Sequence, residues 1–300
     1  MKILLAVSGG IDSMCMAHMA LHGKLMSGHQ FGIAHCNFCL RGEESDGDES
    51  MVKGWAEENG ICIHLKKFDT RTYAAENGIS IEMAARELRY SWFDALCREE
   101  GYDAVAIAHN ANDNVETFLL NLLRGTGGRG LRGMVNEGKL LRPLLNTARD
   151  EIEAYVSANN VPYREDRTNA ETVYRRNKLR HQVLPVFKEI NPSYLGAFER
   201  DMKHLRQEND IAEEYYATAR AACVVEDGEK TCVNIPKLLS FNHWHYVLFR
   251  VLEPSGMSEL ILEQMIGLLE KPGATISGKR FHAPKAQVYI VRKRIVIEKR

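Results

Sequence analysis

The hexapeptide Ser8-Gly9-Gly10-Ile11-Asp12-Ser13 follows directly on the run Lys2-Ile3-Leu4-Leu5-Ala6-Val7. The apolar run reads as a buried strand, and the two glycines let the backbone turn sharply at its end. Asp12 or Ser13 then suits the cap of a helix expected over Met14 to Met26, where Met16, Met19 and Ala20 recur at helical spacing. Successive backbone N–H groups at a helix N-terminus make a concave anion site, so a phosphate is the expected occupant. No Lys follows Gly10 as the Walker loop requires, and the spacing is not Gly-x-Gly-x-x-Gly, so neither that loop nor a dinucleotide site is indicated.

Three further segments carry chemistry. In His109-Asn110-Ala111-Asn112-Asp113-Asn114-Val115-Glu116-Thr117, Asp113 and Glu116 stand three apart and share a helix face. Beside a bound triphosphate such a pair can hold Mg²⁺, or orient and deprotonate an incoming amine. Residues 124–133 hold five glycines with Arg124, Arg129 and Arg132, a cationic loop suited to the phosphates of ATP or of an RNA backbone. The segment from His35 to Ser45 offers Asn37, Arg41 and several carboxylates for polar recognition. Its Cys36-x-x-Cys39 resembles half a metal site, but no second such pair exists, and two incidental thiols are the better reading.

These segments need a scaffold that brings strand ends together. Strands are expected at 30–35, 61–65 and 104–108, with helices over 49–59 and 80–100, the latter capped at Ser80. Strands alternating with helices imply right-handed βαβ units and a doubly wound parallel α/β sheet. Ligands in such sheets sit at the carboxyl ends of the strands, where the polar segments after residues 7, 35 and 108 converge. Beyond Asn191-Pro192 the pattern changes to helices over 194–222, 244–252 and 259–269, closed by short β runs at 288–291 and 295–297. Two domains are expected, 1–191 and a smaller, mainly helical 192–300 with a short β tail.

Composition narrows the class. With 45% hydrophobic residues in 300, the chain can bury one large core or two smaller ones. No apolar run reaches the ~18 residues of a membrane span. The first strand starts within two residues of Met1, which leaves no room for a signal peptide, and seven scattered cysteines suit a reducing cytoplasm. Net charge is −1, yet residues 43–58 carry seven acids and one Lys, while residues 271–300 carry nine Lys or Arg and one Glu. That basic tail is compatible with a phosphate-backbone partner or with a solvated strand pair.

Ser-Gly-Gly-x-Asp-Ser resembles the pyrophosphate loop of the N-type (PP-loop) ATP pyrophosphatases, which adenylate a carbonyl-like oxygen and let a nucleophile displace AMP. The further motifs resemble the tRNA(Ile)-lysidine synthetase family. They are Leu40-Arg41-Gly42, His109…Asp113…Glu116-Thr117, Leu123-Arg124-Gly125 with Gly130-Leu131, Arg142-Pro143-Leu144, Glu165-Asp166-Arg167-Thr168-Asn169 and Tyr174-x-Arg176-Asn177-x-x-Arg180. The resemblance is strong over about the first 190 residues and loose thereafter.

It implies a cytoplasmic, ATP- and Mg²⁺-dependent ligase joining free L-lysine to the wobble cytidine of tRNA(Ile) with a CAU anticodon, giving lysidine. Ser8, Gly9, Gly10, Ile11, Asp12 and Ser13 would hold ATP. Asp113 and Glu116, with His109 nearby, would serve Mg²⁺ or the lysine amine. Asn37, Arg41, Arg86, Arg89, Arg124, Arg129, Arg176 and Arg180 would face substrate or tRNA. The family's second Asp in the middle motif is Asn112 here. A homodimer and a further tRNA-binding domain beyond residue 300 are compatible with the resemblance. A tRNA cytidine thiolase, an amidotransferase-type pyrophosphatase and a non-catalytic nucleotide-binding module are the alternatives.

Overall fold

The structure, a computed structural model, describes residues 1–164, 175–271 and 276–299. The motif residues Glu165 to Asn169 and Tyr174 lie outside them. The chain divides into two compact units, Met1–Leu205 and Arg206–Arg300.

The first unit is built on five parallel strands in the order β3-β2-β1-β4-β5: β1 Lys2–Ala6, β2 Gln30–Asn37, β3 Cys62–Lys67, β4 Ala104–Ile107 and β5 Leu140–Leu141. The register sets Ala6 beside Ala34 on one side and Ile107 on the other, so β1 and β4 end together while β2 runs on to Asn37 at the same edge. Seven helices interleave with the strands: α1 Ile11–Leu21, α2 Glu43–Glu58, α3 Thr70–Asn77, α4 Ile81–Glu99, α5 Ala111–Leu123, α6 Gly128–Leu131 and α7 Arg149–Ala158.

Consecutive strand residues point to opposite faces, and β1 shows it. Leu5 packs with Met14, Met16, Val52, Trp55 and Ile152 from α1, α2 and α7. Leu4 packs with Trp92, Phe93 and Leu96 from α4. Both faces are covered, which is why β1 reads as an unbroken apolar run rather than an alternating one. The expected doubly wound α/β sheet is present.

Some local expectations are corrected. Helix α1 starts at Ile11 rather than Met14, with Gly10 in the cap position and neither Asp12 nor Ser13 capping. Helix α2 starts at Glu43 rather than Glu49, because Glu43, Glu44 and Asp46 compensate the dipole of its first turn. Asn37 ends β2 instead of opening a loop.

After α7 come α8 Arg175–Lys178, a π turn over Leu179–Val183, α9 Leu184–Ile190 and α10 Tyr194–Cys223. The second unit contains α11 Ile235–Leu239, α12 Trp244–Leu252 and α13 Glu259–Leu269. Its antiparallel sheet runs β6-β7-β10-β9-β8, with β6 Val224–Asp227, β7 Lys230–Asn234, β8 Arg280–Ala283, β9 Ala286–Val291 and β10 Arg294–Lys299. Val233, Leu248, Met265, Ile290 and Ile295 form its core. Among the described residues no helix is long and apolar enough to cross a membrane, and all seven cysteines are unpaired.

Candidate active site

The glycine loop turns through Gly9 at φ +94°, a left-handed conformation natural to glycine. A Cβ there would meet Met51 Cε at 3.2 Å. Ser13 Oγ lies behind the loop, accepting from the N–H groups of Ser8 and Gly9 at 3.2 Å each and donating to the Gly10 carbonyl at 2.8 Å. The loop is thus shaped before any ligand arrives. The N–H groups of Ile11, Asp12 and Ser13, in the first turn of α1, have no intrahelical acceptor by geometry and remain for an anion.

Asp12 joins this loop to two distant elements. Asn110 Nδ2 donates to its Oδ1 at 3.0 Å and Arg149 Nη1 to its Oδ2 at 2.7 Å. Burial raises the Asp12 pKa, and Arg149 opposes the shift. Asn110 caps α5 through a reciprocal pair: the Asp113 N–H donates to Asn110 Oδ1 at 2.9 Å and the Asn110 N–H to Asp113 Oδ2 at 3.1 Å.

Asp113 and Glu116 share one cation. Arg180, in the π turn, donates to Asp113 Oδ1 at 3.1 Å and to Glu116 Oε1 and Oε2 at 2.8 and 3.1 Å. The Glu116 side chain is 1% exposed; burial raises its pKa and Arg180 opposes the rise. Asn112, standing where the family has Asp, accepts from the Arg149 N–H at 3.0 Å.

A cleft of about 1260 Å³ opens over these groups. Of the expected site residues, Ser8, Gly10, Ile11, Asp12, Arg41, Asp113 and Arg180 line it. Gly9, Ser13 and Glu116 support that wall from behind. Asn37, at the end of β2, is spent on α2, donating to Asp46 and Glu49 at 3.0 and 2.9 Å. Arg124 ends α5 and Arg129 lies in α6, both outside the cleft lining. His109, Arg86, Arg89 and Arg176 also lie outside it and form a second group.

Sequence reasoning missed three residues of this cleft. Asp48 is buried and receives Arg41 Nη2 and Arg164 Nε, each at 2.8 Å, and the Arg164 N–H donates to the Gly9 carbonyl at 3.0 Å. Asp48 was findable, since with Val52 and Trp55 it falls on one helical face. Arg149 was findable had Leu140-Leu141 been read as a strand, which places the following segment at the ligand edge. Arg164 carries no local signal.

Magnesium usually takes one or two carboxylates and completes its shell with phosphate and water oxygens. Asp12 and Asp113 fit that role, as both line the cleft and each acts electrostatically on the other. Glu116 fits poorly, sealed beneath Arg180. Among the described residues no three His, Cys, Asp or Glu side chains come together as a metal cluster. Desolvation pushes the half-buried Cys36 thiol up to about 12, the behaviour of an inert rather than a reactive Cys.

The parallel sheet, the glycine loop opening α1 and the cleft at the strand ends define a PP-loop domain, and residues 1–187 match the family of that description. Residues 226–300 match the TilS substrate binding domain. The tRNA(Ile)-lysidine synthase of Porphyromonas gingivalis is 40% identical over 277 residues, covering 90% of this chain and 58% of that protein. The synthase of Bacteroides thetaiotaomicron is 38% identical over 286 residues (95% and 65%), and that of Chlorobaculum tepidum 38% over 274 (89% and 83%). The chain belongs to the tRNA(Ile)-lysidine synthase family. It spans 58% and 65% of the length of the first two relatives. The U34-tRNA thiolase NcsA of Methanococcus maripaludis, solved with its 4Fe–4S cluster, matches at TM-score 0.57 and 20% identity over 68% of this chain and 71% of that one, a likeness of fold alone.

Proposed function

We propose that this chain is a cytoplasmic ATP-dependent ligase that joins free L-lysine to the wobble cytidine of tRNA(Ile) bearing a CAU anticodon. The observation that carries the reading is Asn110, which bonds Asp12 of the glycine loop while capping the helix that presents Asp113 and Glu116. Phosphate loop and carboxylates are thereby fixed in one cleft, in a chain of this family.

In the first step cytidine O2 attacks the α-phosphorus of ATP and pyrophosphate leaves. Ser8, Gly10 and the first-turn N–H groups of α1 receive the phosphates, with Arg41 and Arg164 held at the rim by Asp48. Mg²⁺, held by Asp12 and Asp113, would neutralise phosphate charge. In the second step the lysine ε-amine attacks C2 and AMP departs with O2. That amine, ordinarily protonated below about pH 10.4, must lose a proton. Asp113, at the cleft surface, is positioned to orient it and to take the proton. The thiolase alternative has less support, since the half-buried Cys36 thiol is pushed up to about 12 and the described cysteines do not gather.

Pyrophosphate release from ATP, measured with tRNA(Ile) and with or without lysine, tests the reading. Release that depends on the tRNA, with labelled lysine recovered on the RNA, is the expected result. Release driven by a different acceptor, or lysine that never reaches the RNA, overturns it.

A further inference from the structure

His109 and Asn110 are chain neighbours, Asn110 in extended backbone, and they face different surroundings. Asn110 faces Asp12 and the cleft. Around His109 stand four guanidiniums, Arg86 and Arg89 of α4, Arg142 after β5 and Arg176 of α8. Burial foremost, and then these four charges, lower the His109 pKa to about 4, so the ring is neutral at working pH.

None of the four arginines is ion-paired to a carboxylate among the described residues. They are held by neutral groups instead. Arg86 lies over the Tyr90 ring at 4.9 Å and Arg89 over Phe38 at 5.1 Å. Arg142 donates from Nη1 to the Val135 carbonyl, and Arg176 donates from Nη2 to Thr117 Oγ1 at 3.3 Å. Arg142 Nε and His109 Nδ1 are buried without a hydrogen-bond partner. Glu137 acts on Arg142 at longer range without forming an ion pair. Like charges gathered without a counter-ion repel, and a buried donor left unpaired costs free energy. The missing partner is an anion that the ligand brings.

Charge decides which anion. A free amino acid presents an ammonium beside its carboxylate, and lysine presents two, which four guanidiniums repel. ATP has its phosphate loop elsewhere. A polynucleotide strand offers phosphates spaced along its backbone, and guanidiniums bind phosphate bidentately. We infer that Arg86, Arg89, Arg142 and Arg176 form a phosphate-binding site for an RNA strand, seating the phosphates that flank the nucleotide whose base enters the cleft. Neutral His109 at the centre suits an uncharged partner, such as a ribose 2′-hydroxyl or a base edge. The inference rests on the tRNA-ligase reading above.

The test is binding of the full chain to a tRNA(Ile) transcript across a salt series. Each lost single-strand phosphate contact lowers the slope of log affinity against log salt by about 0.7. Arg86→Gln/Arg142→Gln is expected to flatten the slope by about 1.4, and Arg86→Lys/Arg142→Lys to restore it. Arg86 is exposed, so the single Arg86→Gln variant, expected to lose about 0.7, gives the answer should the double variant fail to fold. An unaltered slope in that variant overturns the inference and leaves the ligase reading standing. An unaltered slope with a raised lysine KM assigns the cluster to an amino-acid carboxylate and overturns it equally. A wild-type chain that binds no tRNA overturns both.

Discussion

Arg180 grips Glu116 through two parallel hydrogen bonds, Nε to Oε1 at 2.8 Å and Nη2 to Oε2 at 3.1 Å, although 64 residues separate them. The pair ties the π turn to α5 beneath the cleft, with Glu116 nearly sealed from solvent. Removing one partner of a buried pair typically costs 3–5 kcal/mol, mostly through the charge left behind. Arg180 is 38% exposed and keeps Asp113, so the cost here is smaller. Glu116→Ala is expected to destabilise the chain by about 2 kcal/mol and Glu116→Gln by about half as much. Urea unfolding of the two variants against wild type checks this, and equal midpoints for all three would show that the pair contributes nothing.

Gly9→Ala places an L-residue at φ +94° with its Cβ against Met51. Strain of this kind costs about 1–3 kcal/mol and would be relieved by distorting the phosphate loop. Pyrophosphate release is expected to fall about tenfold or more, with the loss seen in the ATP titration. Unchanged ATP dependence would mean that the turn at Gly9 does not shape the phosphate site.

Arg149 holds down the pKa of Asp12 against burial. Arg149→Gln removes that opposition, so the Asp12 pKa rises further and the carboxylate protonates at higher pH. The acid limb of the pH–rate profile should move upward in the variant. A limb that stays in place would exclude Asp12 as the group that sets it.

His109 titrates near pH 4 in the folded chain and near 6.5 when unfolded. Between those values the unfolded chain binds a proton that the native chain does not, so stability rises with pH across the window and is complete above it. The slope from this residue is at most about 1.4 kcal/mol per pH unit. His109→Gln should flatten the dependence between pH 4.5 and 6.5 relative to wild type. Part of the slope persists, because His35 is lowered in the same direction by burial. Asp12 and Glu116, raised by burial, act in the opposite sense. Identical slopes in the two proteins would refute the assignment.

The strands of the parallel sheet were legible because β1 and β4 are covered on both faces and their sequences are continuously apolar. β5 was not, since two residues carry no periodicity. The same limit hid part of the site. The glycine loop, Asp113 and Glu116 announce themselves by local spacing, whereas Arg149 and Arg164 reach the loop from 137 and 116 residues beyond their carboxylate partners. Spacing also suggested two free carboxylates on α5. What it could not reveal is that Arg180 bonds both, a contact made only when the π turn packs against the helix.

The peptide that joins His109 to Asn110 belongs to two neighbourhoods at once. Thermodynamic reciprocity then constrains the chain in a definite way. A displacement that a nucleotide imposed on Asn110 through Asp12 would act one peptide unit from the arginine-ringed histidine. Were a strand seated there coupled to the nucleotide in this way, it would return the same free energy to it. The order in which the two ligands arrive can alter the path, but the factor by which each changes the other's affinity must be the same.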